Sequence, residues 1–301
     1  MKIYRAITVA ALGLALGGCH DILDLKDLTA VNETDVWHDA ELAEAYVSRI
    51  YADNLPGWST GEAGMSDESP GGGSYMYGQL TENSVNYWPY GQIRRINILL
   101  SEIDKGSLDP ALVRRLKGEA LFFRAWRYWE MVKRYGGVPL ILEPQDLTDD
   151  LLVTRAPTSV VMSQIIADLD SAIAMLPDGS PGNDGRVHKG TAMALKGRIL
   201  LYYASPQFNR TDDPQRWQAA YEANRQARDY LAGRGFGLYS DFEKLWFDEM
   251  NVEVIFVRRY SYPVSTHNWA AATRPLDESQ GATGANRPTL GLVNSFPMKD
   301  G

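Results

Sequence analysis

A short pattern occurs twice in this chain and leaves few architectures open. Lys117-Gly118-Glu119-Ala120-Leu121-Phe122-Phe123-Arg124-Ala125 and Lys189-Gly190-Thr191-Ala192-Met193-Ala194-Leu195-Lys196-Gly197 share the order lysine, glycine, any, alanine, apolar, any, apolar, basic, small, 72 residues apart. Both copies lie where apolar residues recur at three and four, the spacing of an amphipathic helix. Small residues at fixed points of a repeated helix permit close helix-helix contact, and a repeat that cannot bury its apolar face alone must stack on a neighbour. The expected class is therefore all-α, a superhelix of stacked helix pairs.

The offset is about twice the 34-residue tetratricopeptide period, so the copies are expected to lie two repeats apart with a small insertion. Helical spacing predicts helices over 35–52, 93–103, 110–135, 159–176, 189–205 and 214–232. Two of them have a strong start, because Asp109-Pro110 and Asp213-Pro214 each place a capping carboxylate before a proline in the first turn. Thr158 or Ser159 is the expected cap of the next helix after 110–135, and glycines at 136, 137, 179 and 233 mark stops. Phe122, Phe123, Trp126, Trp129 and Trp217 fall on helical apolar stripes and are expected in the core.

Two segments break the pattern. Residues 54–87 carry Gly57, Gly61, Gly64, the run Gly71-Gly72-Gly73 and Gly78, interspersed with Trp58, Tyr75, Tyr77 and Tyr87. So long a loop in a compact domain suggests a binding role. From residue 241 helical spacing fades: 252–260 reads as a strand and 261–287 as an irregular stretch rich in glycine, threonine, alanine and asparagine.

The leader has a different logic. Lys2 and Arg5 precede an apolar run over 7–16 that is too short for a mature membrane span, which is the plan of an export signal. It ends in Leu16-Gly17-Gly18-Cys19, resembling the lipobox of bacterial lipoproteins. Cys19 is the only cysteine in 301 residues. The expected organisation is a lipoprotein signal peptide over 1–18, lipidated Cys19 and a spacer over 19–34, a helical domain over 35–240 and an irregular region over 241–301. Two or more acyl chains suffice for stable anchoring.

Charge and composition exclude other classes. Thirty basic against 38 acidic side chains give −8, more negative still without Lys2 and Arg5, which repels a phosphate backbone, so no nucleic-acid partner is expected. His20, His38, His188 and His267 have no metal-site spacing, and one cysteine makes no zinc site, so neither metal nor cofactor is expected. Gly71-Gly72-Gly73 lacks the following Gly-Lys-Ser/Thr of a phosphate loop. Asp67 with Glu68 and Asp277 with Glu278 are adjacent loop acids, read as solvated rather than as a glycosidase pair, and no catalysis is expected. Arg124, Arg127 and Arg134 are read as a solvated face or as partners of neighbouring acids.

Leu116-Lys117-Gly118-Glu119-Ala120-Leu121-Phe122-Phe123-Arg124-Ala125-Trp126, followed by Tyr135-Gly136-Gly137-Val138-Pro139-Leu140, resembles the SusD/RagB family of surface glycan-binding lipoproteins. Further points of likeness are Trp88-Pro89-Tyr90-Gly91-Gln92-Ile93-Arg94-Arg95-Ile96-Asn97 and Ala167-Asp168-Leu169 through Leu176-Pro177. Lys189-Gly190 with Ala192 through Ala204-Ser205, and Asn251 through Ile255-Phe256, complete the series in family order. The resemblance implies a tetratricopeptide-like helical half, an irregular half bearing much of the ligand face, and a non-catalytic lipoprotein at the outer-membrane surface. It further implies delivery of captured oligosaccharide to a SusC-like TonB-dependent transporter. Family members usually continue well beyond the segment resembling 292–301, so the chain is expected to stop inside the second half and to leave apolar surface uncovered.

A sugar offers flat C–H faces and hydroxyls, which call for aromatic platforms with fixed polar groups. The candidate ligand-binding residues are Trp88 and Tyr90, Tyr75 and Tyr77 beside the glycine run, and Tyr262, Asn268 and Trp269. Trp88 has a rough counterpart in the family that can stack on sugar, although the same segment can instead dock its helix. A lipid-anchored repeat scaffold that binds a peptide along its concave surface is the alternative.

Overall fold

The computed structural model describes residues 35–58, 62–70, 73–182, 185–270, 274 and 287–299. The leader, Cys19 and the spacer lie outside the described residues, as do Gly71, Gly72, Asp277 and Glu278.

Helix starts follow local chemistry. A 3-10 turn at Asp35–Trp37 leads to α1 (Ala40–Asn54), where the Asp39 carboxylate accepts from the N–H groups of Glu41 and Leu42, so the helix begins later than spacing alone indicates. The short α2 (Gly73–Met76) and 3-10 turns at Glu62–Met65 and Glu82–Ser84 occupy the expected long loop. Then come α3 (Tyr90–Glu102) and α4 (Pro110–Tyr135), the latter capped by Asp109 through Ala111 and Leu112. The next helix, α5 (Thr158–Met175), follows Pro157 without a side-chain cap, so neither Thr158 nor Ser159 has the expected role. His188 caps α6 (Lys189–Ala204), and Asp213 caps α7 (Pro214–Ala232) through Gln215. A short α8 (Leu290–Ser295) lies near the end of the chain. Asp213→Ala is expected to lower stability by about 1 kcal/mol, read as a lower urea midpoint at unchanged slope.

The helices stack in pairs. α4 packs with α5 and α6 with α7, α5 carries α6, and α1 and α3 cover α4. Hence α4 is buried over most of its surface, with Phe122, Phe123, Ala125, Tyr128 and Met131 fully enclosed. Only α5 intervenes between Lys117 and Lys189, so the two copies of the pattern are one helix pair apart, not two. The pair is long because α4 has 26 residues and α5 has 18, joined by an extended connector over 136–157. The repeated small residues keep their expected purpose. A Cβ on Gly118 would lie 3.0 Å from Leu176, on Gly190 2.5 Å from Leu231, and on Gly197 2.6 Å from Asn224.

Other expectations are corrected. Residues 252–260 form no strand, and the described residues contain only isolated bridges, Pro139 with Arg155 and Ser261 with Ser265. The reason is that this segment finds the helical body rather than another strand: Phe256 packs edge-on against Tyr51 and Phe122, and the Ile255 carbonyl bonds the His188 ring. Trp217 is 39% exposed, because no described element covers α7 at that point, and its indole N–H donates to Asp212 at 2.8 Å. Leu238, Phe242, Trp246 and Phe247 are also exposed.

Of the three arginines read together from the sequence, Arg134 does pair with Glu130 one turn back at 2.8 Å. Arg124 is instead buried and forked onto Asp168 of α5, with both N–O distances 2.7 Å. Arg127 is held by Asn54 and the Asp53 carbonyl.

His188 joins the body to the late segment. Its Nδ1 accepts from the Gly190 N–H at 3.1 Å and its Nε2 lies 3.1 Å from the Ile255 carbonyl, an arrangement that suits only the neutral ring with its proton on Nε2. Burial against Phe236 lowers its pKa, with the Ile255 hydrogen bond opposing. Below pH 6.5 the unfolded chain therefore binds a proton that the folded chain resists. Stability should fall as pH drops from 6.5 toward the folded value, and His188→Gln should remove that part of the slope in urea titrations at successive pH values.

Candidate functional site

Two aromatic clusters form near the C-terminus of α1. The first begins with Trp88, at the entry to α3. Its indole lies flat on Tyr135, at the end of α4, with ring centroids 4.3 Å apart and an interplanar angle of 4°; Tyr90 is nearly parallel at 6.3 Å. Trp88 is nevertheless 47% exposed. One face packs on Tyr135 while much of the side chain stays exposed.

Polar bonds fix the surroundings. The Tyr135 hydroxyl accepts from the Tyr87 N–H at 2.7 Å and donates to the Val85 carbonyl at 3.2 Å. The Tyr90 hydroxyl donates to the Pro139 carbonyl at 2.8 Å, and partial burial pushes its pKa up to about 12. Tyr90 thus acts as a support for the stack. Arg134 lies 4.4 Å over the Tyr87 ring, and Arg155 clasps the end of α4 through the carbonyls of Gly137 (2.7 Å) and Tyr135 (2.5 Å).

The second cluster joins residues some two hundred positions apart in the chain. Trp58 stacks on His267 at 5.1 Å and meets Tyr260 and Trp269 edge-on at 6.4 and 6.2 Å. Tyr260 and His267 are perpendicular at 4.9 Å. Trp58 is 49% exposed and Trp269 45%. Arg258 braces this cluster, sitting 5.4 Å over Tyr260 while donating to the carbonyls of Leu55 and Pro56 at 2.8 and 3.0 Å.

The two clusters share an anchor. Residues 53–56, at and just beyond the end of α1, give Asp53 O and Asn54 Oδ1 to Arg127 and the carbonyls of Leu55 and Pro56 to Arg258. Arg127 also binds the Tyr87 hydroxyl, next to Trp88 in sequence. Partly exposed rings held by hydrogen bonds lose little conformational freedom on stacking against a ligand.

Of the residues expected from sequence, Trp88 and Tyr90 meet in the first cluster and Trp269 enters the second. Asn268 is exposed between His267 and Trp269. Tyr262 is 90% exposed and, with Tyr75 and Tyr77 on or beside α2, makes no ring contact with either cluster among the described residues. Sequence reasoning missed Tyr135, Tyr260 and His267, and noted Trp58 only as part of the loop. Gly57-Trp58 in a glycine-rich loop is a usable signal for an exposed indole, but nothing local pairs it with His267. Among the described residues no group of three His, Cys, Asp or Glu side chains suits a metal ion, and no helix is long and apolar enough to cross a membrane.

Residues 28–201 match the SusD-like family described as starch-binding and associating with the outer membrane. The chain belongs to that family. SusD-like protein P38 of Formosa agariphila is 24% identical over 253 residues, which cover 72% of this chain and 49% of that protein. A crystal structure of a SusD-like protein from Bacteroides fragilis superposes with a TM-score of 0.63 at 25% identity, covering 79% of this chain and 47% of the other. A laminarin-binding SusD-like protein gives 0.57 at 26% identity, over 73% and 50%. The stacked helix pairs are thus the SusD-like helical fold, and the chain spans about half the length of these relatives.

Proposed function

We propose that this SusD-like protein is a surface lipoprotein, anchored through Cys19, that captures oligosaccharide or polysaccharide and delivers it to a SusC-like TonB-dependent transporter. In this reading Trp88 and the Trp58 cluster with Trp269 are stacking platforms, Asn268 supplies a hydrogen-bonding group, and the helical stack is their rigid support. The observation that carries it is a pair of half-exposed tryptophans, Trp58 and Trp88, braced near the C-terminus of α1 in a SusD-like stack. Membership in a starch-binding family and likeness to a laminarin-binding protein support carbohydrate as the ligand. Tyr262, Tyr75 and Tyr77 are left as peripheral contacts. Anchoring is tested by metabolic labelling with a palmitate analogue, expected in the wild type and lost in Cys19→Ser. Delivery is tested by co-purification of a SusC-like transporter from outer membranes; its absence under conditions that retain other outer-membrane complexes contradicts that part of the reading.

A further inference from the structure

Each aromatic platform has a cation beside it that no acid among the described residues neutralises. Arg155 directs Nε and Nη2 to the carbonyls of Gly137 and Tyr135, and Arg258 directs Nη1 to those of Leu55 and Pro56. Among the described residues, no carboxylate stands within ion-pair distance of either. A carbonyl orients a guanidinium without neutralising it, so among the described residues both forks carry a positive charge with no counter-charge. This differs from the arginines of α7, where Arg225 and Arg228 pair with Glu222 and Asp229.

The positions of these cations matter as much as their charge. Arg155 is exposed, and its charge acts on the phenol of Tyr90, the ring parallel to Trp88. On the other flank, Arg134 and Lys133 share the single carboxylate of Glu130, which leaves that trio with one excess positive charge. The chain as a whole carries −8 and repels polyanions, so positive excess beside both platforms is a local departure from the global field. A neutral glycan can accept hydrogen bonds from these donors but brings no charge to balance the excess.

Resting on the reading of the platforms as glycan sites, we infer that the ligand is an anionic glycan, one whose sugars carry carboxylate or sulfate groups. Arg155 and Arg258 are the groups that meet the acidic substituents while the indoles take the sugar faces. Guanidinium forks suit both substituents.

The test is native affinity electrophoresis of the full chain through matched polysaccharides. Chondroitin sulfate is compared with its desulfated form, polygalacturonate with its carboxyl-reduced form, and laminarin and starch serve as neutral glycans. The expected result is retention by a sulfated or a carboxylated member, weakened about tenfold or more in its neutralised partner and reduced by salt. Whichever pair responds distinguishes sulfate from carboxylate. Arg155→Gln or Arg258→Gln should reproduce the loss, while Arg228→Gln, which removes the same charge from α7, should not. Arg155→Lys guards against a folding defect, since it keeps the charge and should retain part of the binding. Retention by neutral and anionic members alike, unaffected by Arg155→Gln and Arg258→Gln, overturns the inference and leaves glycan binding standing. No retention by any polysaccharide removes glycan binding itself, and this inference with it.

Discussion

Asp168→Ala is expected to cost about 3–5 kcal/mol of folding stability, the loss that follows when one partner of a buried ion pair is removed. The substitution leaves the Arg124 guanidinium buried between α4 and α5 with no counter-charge. Arg124 also donates to Asn97 of α3 at 3.1 Å and to the Leu142 carbonyl at 3.2 Å, and Asn97 in turn donates to the Ile141 carbonyl at 3.0 Å. The pair therefore fixes the connector that runs on from Pro139, whose carbonyl receives the Tyr90 hydroxyl. Gln164 donates to Asp168 at 2.8 Å, so Asp168→Asn, which keeps an acceptor, should cost less than the alanine. The double change Arg124→Met with Asp168→Leu should recover much of the loss, because an apolar pair of similar volume carries no desolvation penalty. Urea unfolding of the four proteins measures this. A loss below about 1 kcal/mol for Asp168→Ala would mean that the pair is as solvated as a surface ion pair.

Trp58→Ala is expected to weaken glycan binding about thirty-fold or more, the effect of removing a central aromatic anchor worth about 2 kcal/mol. Its indole is the hub of the second cluster, touching His267, Tyr260 and Trp269, so truncation removes a platform and takes one contact from each of the other three rings. Trp88→Ala should have a smaller effect, since Tyr135 and Tyr90 remain fixed by their own hydroxyl bonds. Isothermal titration separates the two, and far-ultraviolet circular dichroism should be unchanged in both because neither indole lies in the core. Equal affinity of wild type and Trp58→Ala would remove the second cluster from the site.

Legibility in the sequence divides by range. Helices starting at Asp109-Pro110 and Asp213-Pro214 are legible because cap and proline act on N–H groups two or three residues away. The small residues of the repeated pattern are legible as contact points, yet their partners Leu176, Leu231 and Asn224 are not, and so an offset of 72 residues suggests two repeats where the fold has one long pair. Arg134 has Glu130 one turn back, a pairing that local spacing shows, whereas Arg124 has no acid three or four residues away and only the fold brings Asp168 to it. The residues of 252–260 suit a strand locally, but a strand needs a partner, and Phe256 finds Tyr51 and Phe122 instead. Trp88 is legible from its segment. The pairing of Trp58 with His267 and Trp269 is not, because no pattern in either stretch refers to the other.

The most direct test of the central claim is retention of the intact chain, with Cys19 replaced by serine, in native gels containing a panel of neutral and acidic polysaccharides. Retardation by at least one polysaccharide is predicted, diminished by Trp58→Ala and by Trp88→Ala. Unretarded migration in every gel, by protein whose cooperative unfolding shows it to be folded, would contradict glycan capture by these platforms.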